Sequence, residues 1–387
     1  MTQEKKNSLV AQLVPVMLAF FAMGFVDSVG TATNYVKESF NLSNKVASLC
    51  PSMVFFWFLV CSVPTGMLMN KIGRRKSVLI SLAITLGALV LPLVSYNFVS
   101  MMIAFAFLGI GNAIMQVSLN PLVANIVNKD KLASVMTFGQ FIKAIASFIT
   151  PILATWFAVH TGQWRWIYGV FAVECVLALA TLVKADIHEE PITGTPSTFG
   201  QCLALLGNST ILLCFVGIMC HVGIDVGTNT SAPQILMDRL GWALKDATVA
   251  TAIYFMFRTI GCFAGSFLLS KFSPKVIFGT SVGLMLAAMG GLCVFHSQWP
   301  LYVCIAMIGL GNSNIFPIIF SQALLQVPEK QNEVSGLMIM GLIGGTVFPP
   351  LMGVAADAIG SQTGSVIVLT VAVLFLCVFA TKVKKIS

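Results

Sequence analysis

Long apolar runs separated by short polar breaks dominate the chain, and each run has about the length of a helix that crosses a bilayer. Twelve can be drawn, with residues 10–34, 46–69, 77–95, 98–127, 132–159, 165–183, 209–233, 246–270, 276–295, 299–327, 333–357 and 363–381. A helix rises about 1.5 Å per residue and the hydrocarbon layer is about 30 Å thick, so about twenty apolar residues make one crossing. Runs this long predict helices rather than barrel strands, which would alternate over about ten residues. The expected fold class is an all-α membrane protein of twelve transmembrane helices.

The pattern also repeats. Gly109, Gly111 and Asn112 recur as Gly309, Gly311 and Asn312, about 200 positions later. Val29-Gly30-Thr31 recurs as Val226-Gly227-Thr228, with Asp27 and Asp225 beside the two copies, and Gly66–Lys76 has a fainter echo at Gly265–Lys275. Six spans per copy is an even number, so both copies share one orientation across the membrane. They are expected to be parallel repeats related by an axis along the membrane normal, an organisation found in transporters. The expected division is a six-helix bundle at 1–184, a cytoplasmic linker at 185–208 that carries Pro191 and Pro196, and a second six-helix bundle at 209–387. Within the linker, Phe199–Leu206 is a short stretch suited to the membrane interface.

Composition agrees with the pattern. The 387 residues are 57% hydrophobic and 9% charged, against roughly 25% charged in soluble proteins, and almost no length is left for a soluble domain. The net charge of +8 invites a nucleic-acid partner, but the basic residues sit in short loops and argue against one. Of the 22 lysines and arginines, Lys143 and Arg258 fall inside spans. With the N-terminus in the cytoplasm, Lys37, Lys45, Arg165, Arg239 and Lys245 fall outside and the remaining fifteen inside, which places both termini on the cytoplasmic face. Met1–Asn7 is charged and the first run is long enough to span, so no cleavable signal is expected. Ten cysteines are scattered without metal-ligand spacing. With no nucleotide-binding loop, metal cluster or nucleophile motif, the chain is not expected to be an enzyme or to hold a cofactor beyond a coupling ion.

The chemistry lies in polar residues inside the spans, where they are costly and mark function by default. Asn112, Gln116 and Asn120 recur every fourth residue and form one helical stripe. Amides both donate and accept, as sugar hydroxyls do, so these three are candidate substrate ligands, joined by Asn34, Gln140, Lys143, Asn229 and Asn312. Asp27 and Asp225 are candidate coupling carboxylates for H+ or Na+, since hard cations prefer oxygen ligands; His221, one turn from Asp225, is the third coupling candidate. Structural pairing competes with each role: Lys143 has Asp27 or Glu174 within its expected reach, and Arg258 reads as a gating or pairing residue. The spans hold two cations (Lys143, Arg258) and three acids (Asp27, Glu174, Asp225), an excess of one negative charge that one bound H+ or Na+ would neutralise. Phe55, Phe56, Trp57, Tyr254 and Phe316 offer faces for a sugar ring, and Gly341–Gly345 with Pro349-Pro350 suit a helix that bends.

Gly66-Met-Leu-Met-Asn-Lys-Ile-Gly-Arg-Arg-Lys76 resembles the loop signature after the second span of the major facilitator superfamily, and with the repeat the resemblance covers essentially the whole chain. It implies the major facilitator fold, with gating or structural roles for Gly66, Gly73 and Arg74. Asn70 stands where the signature has aspartate, so the gating contact of that carboxylate does not carry over. A narrower resemblance is to the fucose/galactose/glucose permease family. It rests on Phe20-Phe21 through Gly24, on Gly-x-Gly followed by Asn120-Pro121, on Gln140 with Pro151, and on His221-Val-Gly-Ile-Asp225-Val-Gly followed by Arg258-Thr-Ile-Gly261. Gln116 takes the place of a glutamate in proton-coupled relatives, and Lys143 that of an uncharged polar residue. The resemblance implies sugar uptake, though not an unchanged coupling chemistry; the expected function is cation-coupled uptake of a monosaccharide by alternating access in the cytoplasmic (inner) membrane, with a monomer as the expected state. Two alternatives stay open at this point: a sugar-acid or organic-anion symporter using Lys143, and a proton-coupled drug exporter. A non-transporting membrane sensor is disfavoured because no signalling domain is present.

Overall fold

The computed structural model of the chain describes residues 3–27, 29, 32, 35–36, 39–42, 49–187, 189, 198–242, 244–247 and 249–382. The expectations for Thr31, Asn34, Lys37, Lys45 and the Asp27 side chain lie outside the described residues. Among the described residues eleven helical stretches are long and apolar enough to cross a membrane, and Val10–Val26 is a shorter apolar helix. No strand occurs among the described residues. The chain is thus an all-α, multi-pass membrane protein.

By its contacts the chain divides into two compact units. The first comprises Met1–Asn128, Ile142–Ala204 and Glu329–Met340, and the second Lys129–Phe141, Leu205–Pro328 and Gly341–Ser387. Each unit therefore takes one short segment from the sequence of the other half. In the first unit lie α1 (Gln3–Asp27), α2 (Leu49–Ile72), α3 (Arg74–Val94) and α4 (Phe98–Ile126). Helix α5 (Lys129–Thr161) runs through both units, giving residues up to Phe141 to the second. Helix α6 (Trp166–Lys184) and the short α7 (Phe199–Ala204) complete the first unit together with the later α14. In the second unit lie α8 (Ser209–Leu240), α9 (Leu244–Ala247), α10 (Val249–Lys271), α11 (Pro274–Val294), α12 (Gln298–Asn312) and α13 (Ile315–Gln326). Helix α14 (Gln331–Met340) belongs to the first unit, and α15 (Gly344–Ile359) and α16 (Thr363–Ala380) to the second.

The repeated Gly-x-Gly has a mechanical reason. A methyl on Gly109 would collide with the Val54 carbonyl oxygen of α2, and one on Gly309 with the Tyr254 carbonyl oxygen of α10. Gly111 closes in the same way on Thr85 of α3, and Gly311 on Met285 and Ser281 of α11. In each unit the bare backbone of the fourth helix packs onto the second and third, the small-residue contact that brings membrane helices close.

Two spans expected as single helices are interrupted. Helices α12 and α13 are separated at Ser313-Asn314, and a 3-10 turn at Gly341–Ile343 separates α14 from α15. At the first break Asn314 seats its amide against the bare backbone of α10, donating to the Gly261 carbonyl at 3.5 Å. The segment suited to the interface forms the short helix α7 followed by a 3-10 turn at Leu205–Gly207. Helix α7 packs on α2 and α14, with Cys202 fully buried.

Candidate functional site

In the second unit, three helices bring five polar side chains into one connected chain. His221 and Asp225 stand one turn apart on α8, Tyr254 and Arg258 one turn apart on α10, and Asn312 ends α12, so the i, i+4 pairs face each other across the seam. The Arg258 guanidinium lies 3.2 Å from Asp225 Oδ2. The Tyr254 hydroxyl donates to Asp225 Oδ1. Asn312 Nδ2 donates to the Tyr254 hydroxyl at 3.1 Å, and Asn312 Oδ1 lies 2.8 Å from His221 Nδ1. Asn312 and Tyr254 are fully buried and His221 is 4% exposed. A charge pair in hydrocarbon is tolerated when its remaining lone pairs and protons are satisfied, and Tyr254 supplies that partner for Asp225. Phe316 tilts against the His221 ring at a centroid distance of 5.9 Å. Asn229 stands apart from this chain, half-buried, with its carbonyl accepting from Thr251 at 3.4 Å. Gln140 is half-buried in the segment of α5 that belongs to this unit.

In the first unit the expected stripe on α4 is present and buried: Asn112, Gln116 and Asn120 are 2%, 5% and 1% exposed. Asn120 Nδ2 donates to the Gln116 carbonyl at 2.8 Å, a local bond. Both amide atoms of Asn112, and Asn120 Oδ1, are buried and have no hydrogen-bond partner among the described residues. Lys143 is 8% exposed; its carbonyl accepts from Ser147 at 3.1 Å and closes on Gly24. Glu174, one of the acids expected near Lys143, has both carboxyl oxygens buried without a hydrogen-bond partner. Of the aromatic candidates, Phe55 and Phe56 are 39% and 54% exposed and face outward.

The Gly66–Lys76 signature builds a polar latch within the first unit. Gly66 packs on the Asn332 carbonyl of α14. Asn70 donates to Glu333 Oε1 at 2.6 Å and accepts from Asn332 Nδ2 at 2.6 Å. Arg74 reaches Asn332 Oδ1 at 2.8 Å, the Pro121 carbonyl at 3.1 Å, Asn125 Oδ1 at 3.2 Å and Gln331 Oε1 at 3.1 Å. Glu189 caps α3, accepting from the backbone N–H groups of Arg74 and Arg75 at 2.7 and 2.6 Å. A carboxylate at a helix N-terminus satisfies otherwise orphaned donors and meets the positive end of the helix dipole. Gly73 holds φ at 88° in front of that cap, a conformation that favours glycine. Asn70 thus keeps a contact to α14 by hydrogen bonding to a carboxylate instead of carrying one. Gln331, Asn332, Glu333 and Glu189 escape a sequence reading, because their partners lie more than a hundred residues away. Tyr254 is legible as an aromatic ring, but not as the hydroxyl that bridges Asp225 and Asn312.

Comparison with known proteins adds the family. A family model described as Major Facilitator Superfamily matches residues 16–341 and, in a second placement, 213–385. A "Glucose/galactose transporter" of Brucella abortus is 25% identical over 381 residues, spanning 93% of this chain and 90% of that protein. An "L-fucose-proton symporter" of Escherichia coli is 21% identical over 367 residues, spanning 84% and 82%. Among solved structures, a major facilitator transporter, FucP, crystallised in the outward conformation, superposes with a TM-score of 0.81 at 16% identity, covering 97% of this chain and all of that one.

Proposed function

Because the chain belongs to the major facilitator superfamily, a family of membrane transporters and not of enzymes, we propose that it is a cation-coupled symporter that takes up a monosaccharide by alternating access. The observation that carries the reading is the row of neutral amides, Asn112, Gln116 and Asn120, buried on a membrane-spanning helix. Such a row suits a neutral polyol better than a greasy or strongly charged cargo. Relatives over most of the chain that are named for glucose/galactose and L-fucose transport point the same way.

Coupling follows from charge. Arg258 neutralises Asp225, and by formal charge Asp27, Glu174 and Lys143 leave an excess of one negative charge among the span residues. One H+ or Na+ bound with the sugar removes it. Tyr254 joins Asp225 to Asn312, and Asn312 carries the link on to His221, so a proton or ion at the carboxylate would rearrange this network. In this reading the protein is a monomer of the inner membrane, and the basic-residue bias favours both termini and the Gly66–Lys76 latch on the cytoplasmic face.

Purified protein tests this by thermal stabilisation against D-glucose, D-galactose, L-fucose and their acids, each with and without Na+, at two pH values. A rise in Tm with a neutral sugar, enlarged by Na+ or by acid, is the expected result. In proteoliposomes, uptake of a neutral sugar that needs neither ion would defeat the coupling.

A further inference from the structure

The two copies of the repeat treat the same asparagine in opposite ways. Gly109 and Gly309 close on the carbonyls of Val54 and Tyr254, which makes Val54 the counterpart of Tyr254 and Asn112 the counterpart of Asn312. Aligning Val29-Gly30-Thr31 with Val226-Gly227-Thr228 makes Gly24 the counterpart of His221. In the second unit His221 and Tyr254 satisfy the Asn312 amide. In the first unit those two side chains are replaced by hydrogen and by isopropyl, and among the described residues the Asn112 amide has no partner at either atom.

A second orphan lies on the same seam. Trp57 Nε1 is buried with no partner among the described residues. Its ring edge would stand 3.0 Å from a methyl on Gly109, and Asn112 follows Gly109 by three residues, less than one helical turn. A primary amide and an indole N–H together offer donors and an acceptor but no charge. That set matches a hydroxyl group, which donates once and accepts twice. A buried group left unsatisfied carries a desolvation penalty, which a bound hydroxyl would lift.

We propose that the Asn112 amide and the Trp57 indole N–H form a hydroxyl-binding subsite in the first unit, while Asn312 serves the His221–Tyr254 network instead of the substrate. The subsite rests on the sugar-transport reading and says which repeat recognises the sugar. Asn112 is only 2% exposed, so the hydroxyl enters in a state that uncovers it.

The experiment measures equilibrium binding of D-glucose, D-galactose and L-fucose, and of their monodeoxy analogues, to purified full-length protein. Wild type is compared with Asn112→Leu and Trp57→Phe; the second keeps a ring in place and deletes a single N–H, so it remains informative if the first misfolds. The expected result is a Kd raised about tenfold or more in either variant. Both variants should also lose wild type's preference for the parent sugar over the one analogue that lacks the contacted hydroxyl. Unchanged Kd with a raised Tm, the mark of orphaned groups served by buried water alone, would overturn the subsite and leave the sugar reading standing. Failure of wild type to bind any sugar would overturn both.

Discussion

Tyr254 shows how one hydroxyl decides the character of its surroundings. It donates to Asp225 and accepts from Asn312, so the ion pair with Arg258 and the amide bonded to His221 form one unit instead of two. Asp225 and Arg258 keep 19% side-chain exposure each, so deleting the cation leaves a largely buried carboxylate uncompensated. Arg258→Leu should cost about 3 kcal/mol and lower the Tm of the purified protein accordingly. Adding Asp225→Asn should return most of that stability, because a neutral amide still accepts from Tyr254. The double variant should bind sugar yet fail to accumulate it against a gradient in proteoliposomes. Accumulation at the wild-type level would remove Asp225 from coupling.

Among the elements, the contact between the α2–α3 turn and α14 is the most exposed to a single change. Asn70 donates to Glu333 at 2.6 Å, and Asn70→Asp sets two carboxylates at that distance. Loss of about 1–3 kcal/mol is expected, recovered when Glu333→Gln is added. Cys202 on α7 is a built-in reporter of this region. Burial, followed by the charge of Glu333, pushes its thiol up to about 11, with Lys330 opposing. Burial and the neutral thiol both protect it, so a variant retaining only Cys202 should be alkylated at neutral pH far more slowly than an exposed cysteine. Asn70→Asp should quicken alkylation at fixed pH by loosening the cover over α7; an unchanged rate would show that the latch does not hold α7 down. The latch also marks the boundary of what the sequence discloses. Gly66, Gly73 and Arg74 are legible because they lie in one contiguous signature, and the twelve spans because apolar runs of bilayer length permit little else. Asn332 and Glu333 form no local pattern with Asn70, and the breaks at Ser313-Asn314 and Gly341–Ile343 depend on packing against α10 and α8. The five-residue network was half legible: the i, i+4 pairs on α8 show as stripes, but their pairing with α10 and α12 is a tertiary fact.

At the scale of the whole molecule, the repeat explains both the likeness and the division of labour between the halves. Equivalent glycines pack equivalent helices, while the residues that face the repeated asparagine have diverged, one copy closing on itself and the other left with unused hydrogen-bonding capacity. The borders of the compact units differ from those of the repeats, and Arg74 makes two of its bonds to residues beyond position 330. Severing the polypeptide in the central linker would therefore produce a leading fragment that lacks the acceptors its own arginine requires. Expressed alone, residues 1–197 should be cleared by proteolysis. Supplied in trans with residues 198–387, the fragment should persist and the pair should regain sugar binding, and a leading fragment that is stable by itself would show that Gln331 and Asn332 contribute little to holding it together.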